Sequence, residues 1–165
     1  MDTEHVLGEN GTAFQVTDFE AGQSIIHELA QQARTSLHVF DQDLSARLFN
    51  STAFINSLRQ LLANNRHANI KLLVADINRA RHNAPQLFQL NYRAPSHVQI
   101  RQSDRAYHHV FVVADATGYF DHRMGSGHEA EINFNHPAKA VSLISFFDSI
   151  WNYSPVPGDA EKPSL

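Results

Sequence analysis

Apolar positions recur along this chain in two rhythms, one near the helical period and one of short continuous runs, and their alternation predicts helices interleaved with buried strands. Residues 13–16 read as a short edge strand. Thr17-Asp18-Phe19-Glu20 has the form of a capping box, in which the Thr17 hydroxyl takes an N–H three residues on and Glu20 reaches back. A helix should follow through Arg34, with Phe19, Ile26, Leu29 and Ala33 on its apolar stripe. Residues 37–40 form a strand ending in Asp41. A second helix, capped by Asn50, Ser51 or Thr52, carries Phe54, Leu58, Leu61 and Leu62. Residues 70–75 are a buried strand ending in Asp76, a third helix starts near Asn83 with Pro85 in its first turn, and residues 97–101 alternate as a strand.

The strongest run is Val110, Phe111, Val112, Val113 and Ala114, inside the stretch YHHVFVVADATGYFDHR. It is β-branched, aromatic and small, and predicts a central strand buried on both faces. By alternation His108 shares one face with Val110, Val112 and Ala114, and His109 shares the other with Phe111, Val113 and Asp115. A turn at residues 116–118 joins it to residues 119–122 as a hairpin. Residues 123–127 read as a flexible connection and residues 131–134 as a last strand. Pro137 opens a helix to Tyr153 with Ala140, Ile144, Phe147 and Trp151 as its stripe. The order predicts an α/β domain over residues 13–154, a mixed, mostly parallel sheet with helices on both faces, between a flexible segment 1–12 and a disordered tail 155–165. In such sheets ligands bind beyond the carboxyl ends of strands, and Asp41, Asp76 and Asp115 stand at three strand ends. Each is equally the residue that starts a turn.

Composition narrows the functions. A chain of 165 residues, 42% apolar and 18% charged, has material for one core. A net charge of −4 argues against nucleic acid or an anionic membrane surface as partner. No cysteine is present, which removes disulfides, thiolate zinc sites and a cysteine nucleophile. The amino terminus lacks a basic segment followed by an apolar one, and no run approaches a membrane span, so a soluble cytoplasmic protein is expected. Of the eleven histidines, His108, His109, His122 and His128 could gather with Glu129 or Glu131 across the hairpin, but no ligand spacing supports a metal site, and neither metal nor cofactor is expected. Met124-Gly-Ser-Gly127 has no following lysine and is a turn or a backbone nest for phosphate, not a P-loop. Arg79, Arg81 and Arg93 either hold an anion or are solvated.

The stretch beginning at His108 resembles the signature of the phospholipase D superfamily: histidine, any residue, lysine, four residues and aspartate on a strand, then a glycine-serine turn and a later polar asparagine or glutamate. His108 and Asp115 stand at the right separation, Gly125-Ser126 follows after a longer interval, and Glu131 or Asn133 fills the later position. The likeness covers residues 20–153. The chain also looks like an uncharacterised bacterial phospholipase D-like domain, found alone or fused to acetyltransferases, whose closing helix is similar to FFDSIWNYS here. The resemblance implies a histidine nucleophile, with Asp115 as its motif partner, and a lysine holding phosphate oxygens. A second histidine from another half serves as acid, so the working unit is a homodimer.

One position departs from that pattern: where the lysine belongs, the chain has Val110. Losing one fixed donor to developing negative charge costs on the order of a hundred- to a thousandfold in rate. His122 and Arg123 are the nearest replacement cations, and His109, Ser126 and Glu131 complete the expected ligand contacts. The reading that follows is a binding or regulatory module that has lost phosphodiesterase catalysis, with a phosphate-containing ligand or a protein as partner. The alternative is an active homodimeric phosphodiesterase or nuclease using His108. A third reading makes the aromatic closing helix an interface.

Overall fold

The computed structural model describes residues 5–9, 11–123 and 129–155. Ser126, His128 and nearly all of the expected disordered tail lie outside the described residues. The strands are β1 (Phe14–Val16), β2 (Ser36–Phe40), β3 (Asn69–Val74), β4 (Val98–Gln102), β5 (His109–Ala114), β6 (Gly118–Arg123) and β7 (Ala130–Asn133). They form one sheet in the order β1-β7-β6-β5-β2-β3-β4. The helices are α1 (Phe19–Gln32), α2 (Ala46–Phe49), α3 (Thr52–Asn64), α4 (Ile77–Asn83), α5 (Pro85–Arg93) and α6 (Pro137–Trp151).

The sheet is mixed, as expected, but its parallel part is confined to β2, β3 and β4. The other four pairings are antiparallel. Parallel neighbours need crossovers, which α3, α4 and α5 supply, whereas β5 to β7 follow one another through connections short enough only for antiparallel pairing. One consequence corrects the expectation for the three aspartates. β5 runs against β2, pairing Leu37 with Ala114 and Phe40 with Phe111, so Asp115 lies at the opposite end of the sheet from Asp41.

Local signals explain the helices. The α1 cap is Asp18, not Thr17: its carboxylate accepts from the Ala21 N–H at 2.7 Å. Ser51 caps α3 by accepting from the Phe54 N–H at 3.0 Å. Asp76 caps α4 through the Arg79 N–H. Phe19 faces outward, not into the stripe, and the Arg47 guanidinium lies 3.9 Å from its ring centre. The amino-terminal segment read as loose is docked over its described part: Gly8 N–H donates to the Phe134 carbonyl, and His5 stacks against the rings of both Phe14 and Phe134.

Two cores follow from alternation. On one face Leu37, Val39, Leu72, Val112 and Phe120 pack under α1 to α5; on the other Phe40, Leu73, Phe111, Val113 and Tyr119 pack under α6 alone. Each fully buried side chain of that size contributes about 1.5–3 kcal/mol. Phe147 and Trp151 are buried within the chain, which removes the motive for reading the closing helix as an aromatic interface.

Candidate functional site

At the start of β5 the two histidines part. The His109 N–H donates to the Tyr107 carbonyl at 2.8 Å, so the chain bends at His108, which is exposed just before the strand. Val110 is 6% exposed and belongs to the core beneath α1. Its cross-strand partner is His122, whose Nε2 is buried with no hydrogen-bond partner among the described residues. Both described lysines, Lys71 and Lys139, belong to the other face, Lys71 with its Nζ 5.4 Å from the Trp151 ring centre. No described ammonium therefore stands in for the missing lysine.

The other face carries the densest charge cluster. His109 Nε2 is hydrogen-bonded to Asp121 Oδ1, and the Lys139 ammonium reaches Asp121 Oδ2 at 3.1 Å and Glu131 Oε1 at 2.5 Å. Register explains the grouping: Phe111 pairs with Asp121, Asp121 pairs with Glu131, and Lys139 sits in the first turn of α6 above them. Burial alone would push the Asp121 carboxyl up, but the bond from His109 and the Lys139 ammonium outweigh it and hold it below the usual carboxylate range. Burial likewise opposes the Lys139 charge, and its bonds to Glu131 and Asp121 raise it nonetheless. Tyr119, beside the cluster, is pushed up to about 12, chiefly by burial. Chemically this is a histidine oriented by a carboxylate, with Phe40, Phe111 and Phe146 around the ring. Among the expected ligand contacts, His109 and Glu131 meet here, whereas His122 lies on the opposite face. Arg123 ends β6 as the cross-strand partner of His109.

Asp115 has a different occupation. It and Ala116 both take left-handed backbone, at φ 57° and 53°, and the Thr117 N–H closes the turn on the Ala114 carbonyl. Aspartate tolerates that conformation. Its carboxylate accepts from the backbone N–H groups of Arg34, Thr35 and Ser36 and from the Thr35 hydroxyl, at 2.8–3.1 Å. It thus pins the hairpin to the start of β2, a strand's length from His108. The cleft at that end, about 900 Å³ and bordered by Arg34, Asn65, Asp115 and Thr117, contains neither histidine of the pair.

The family model described as a domain of unknown function (DUF7931) matches residues 18–159. The chain belongs to that family. No curated protein matches it. Among solved structures, Nuc from Salmonella typhimurium, a phospholipase D family member, aligns with a TM-score of 0.58 at 14% identity, over 88% of this chain and 95% of Nuc. Phosphatidylserine synthase from Haemophilus influenzae gives 0.61 at 14% identity, over 87% of this chain and 38% of the synthase. TrmBL2, an archaeal chromatin protein with a novel mode of DNA binding, gives 0.64 at 10% identity, over 87% of this chain and 53% of TrmBL2. The chain thus spans about half of TrmBL2 and nearly all of Nuc. These likenesses establish the phospholipase D-like fold.

Several buried polar groups escaped sequence reading. His38, on β2, packs edge-on against Phe147 with Nδ1 unpartnered; burial, reinforced by Lys71 and opposed by Asp148, lowers it to about 4. Burial raises Asp41 to about 6 despite backbone bonds such as that from the Ser45 N–H. Asp121 had a legible signal: a carboxylate on the core-facing side of a buried strand requires a partner. Among the described residues, no three His, Asp or Glu side chains gather as a metal site. Of the arginines read as an anion site, Arg79 pairs with Asp43 at 3.4 Å and Arg81 lies over the Phe88 ring.

Proposed function

We propose that the chain is a phospholipase D-like module that binds a ligand or partner and has lost phosphodiester cleavage, with His108 and Asp115 as remnants of the motif. The observation that carries this reading is Val110, an aliphatic side chain packed into the core where a phosphate-gripping ammonium would be needed. A carboxylate spent on backbone N–H groups and a histidine on an exposed bend support the same reading. The module works in the cytoplasm as a homodimer, alone or as a companion to an acetyltransferase, and its net charge of −4 favours a partner other than DNA.

The test is turnover of bis(p-nitrophenyl) phosphate by purified protein, with sedimentation to establish the oligomer. The expected result is a rate indistinguishable between wild type and His108→Ala. Hydrolysis by wild type that His108→Ala abolishes would overturn the reading in favour of the alternative, a homodimeric phosphodiesterase with His108 as nucleophile.

A further inference from the structure

The net charge of −4 conceals a segregation along the chain. Residues 44–103, which supply α2 to α5 with β3 and β4, carry seven arginines and one lysine against a single carboxylate, Asp76, itself spent on the α4 cap. That stretch stands at +7 and the rest of the chain at −11. Arg47, Arg59, Arg66, Arg79, Arg81 and Arg93 are exposed on it. A basic surface gathered on the part of the molecule built around the parallel strands is the footprint of a polyanion, and a whole-chain average does not register it.

Within this surface lies a hollow of about 540 Å³ between α4 and α5, bordered by Arg81, Pro85, Phe88, Gln89, Tyr92 and Arg93. Phe88 and Tyr92 are one turn apart on α5, as are Gln89 and Arg93, so an aromatic row and a polar row run side by side. The Arg81 guanidinium lies 5.0 Å from the Phe88 ring centre and 3.4 Å from Asn78 Oδ1. Neither Arg81 nor Arg93 has a carboxylate partner among the described residues. Tyr92 is 86% exposed, and it is the one exposed large hydrophobic side chain among residues 44–103. Two guanidiniums beside a bare aromatic ring make a phosphate grip next to a stacking platform.

We propose that the α4–α5 hollow binds a nucleotide unit of single-stranded RNA, the base stacked on Tyr92 and the phosphate held by Arg93 and Arg81. The ring and the charges decide between polyanions. In a duplex the bases stack on one another and are out of the ring's reach. Carboxylates of an acidic protein would engage the guanidiniums but give Tyr92 nothing to stack on. An anionic membrane would need several apolar side chains to enter it, and Tyr92 stands alone. A second copy cannot cover the surface in a closed dimer, because a two-fold axis would set arginines against arginines. Unpaired strands in the cytoplasm, where the module is read as working, are RNA. Inorganic phosphate lacks the base and so uses only half of the site.

This inference rests on the binding-module reading and names its partner. The experiment follows a fluorescein-labelled short oligoadenylate binding to full-length protein by anisotropy in about 100 mM salt, with the same oligomer in a duplex and poly-L-glutamate as rival ligands. The expected result is saturable binding of the single strand at least about tenfold tighter than either rival. Tyr92→Ala should weaken it by about five- to a hundredfold. Arg93→Ala should lower the slope of log affinity against log salt by about 0.7. Both side chains are exposed, so a melting temperature within about 2 °C of wild type separates lost binding from lost fold. No saturable binding by wild type, a rival bound equally well, or an affinity that neither variant changes would overturn the inference. Phosphodiester turnover dependent on His108 would sink the parent reading whatever the RNA does. Absence of both turnover and RNA binding would sink this inference alone.

Discussion

Val110 and His122 face each other across β5 and β6, one an aliphatic core residue and the other an imidazole with a buried nitrogen that has no hydrogen-bond partner among the described residues. Neither offers a fixed positive charge to a phosphate. Inorganic phosphate at 10 mM is therefore expected to leave the melting temperature unchanged to within about 1 °C, because a ligand stabilises a fold only by binding its native state. Differential scanning fluorimetry checks this, and a rise of several degrees would reveal a phosphate site.

Asp115→Ala should destabilise the fold by about 1–3 kcal/mol, because three backbone N–H groups and a hydroxyl lose their acceptor together. Ala116→Gly should act the other way, by about 0.5–1 kcal/mol, since alanine at φ 53° is strained and glycine is not. Urea titration of both variants measures the pair of signs. An Asp115→Ala protein as stable as wild type would show that the pin is idle.

Lys139→Met should cost about 1–2 kcal/mol at neutral pH, a figure reduced from that of a fully buried pair because the lysine side chain remains 32% exposed. The Asp121 carboxyl is held low in the folded state, so its contribution is complete above the ordinary carboxylate value and is lost as pH falls through the folded one. Lys139 is held high, so its contribution is complete below the ordinary ammonium value and is lost only as pH rises past the folded one. The deficit of the variant should therefore span the neutral range and shrink at both extremes, which chemical denaturation at several pH values can follow.

His38 and Asp41 predict opposing slopes. Burial holds His38 neutral to about 4, so the unfolded chain takes up its proton first, and stability should fall by about 2–4 kcal/mol as pH drops from 6.5 to 4. His38→Leu should flatten that decline. Asp41, held protonated up to about 6, should make the fold lose about 1–3 kcal/mol as pH rises from 4 to 6. Asp41→Asn should remove that loss and be more stable than wild type at pH 7. Denaturation of the two variants across pH 4–7 separates them, and parallel curves for wild type and either variant would refute the corresponding assignment.

The elements with strong periodicity were readable from the sequence: α1, α3, α6 and the strands around Val39, Leu72 and Val112 stand close to where apolar spacing places them. The two short helices were not. α2 has only four residues, and α4 buries just Ile77 and Ala80 among polar neighbours, too little stripe to register. The antiparallel majority was also hidden, because it depends on β5 choosing β2 as neighbour, a pairing between segments far apart in the chain. At the candidate site, the histidines and Val110 were visible as residues. That the bend at His108 sends one imidazole to solvent and gives the other to Asp121 was not, since one hydrogen bond from His109 to Tyr107 decides where the strand begins.

The aspartate at 115 is held in place by what it does for β2, a task that needs no substrate, no histidine and no lysine. Sorting genomes by a histidine and an aspartate seven apart would consequently gather chains with this architecture, whether or not any of them can break a phosphorus–oxygen bond. The residue two beyond the histidine is the one to consult.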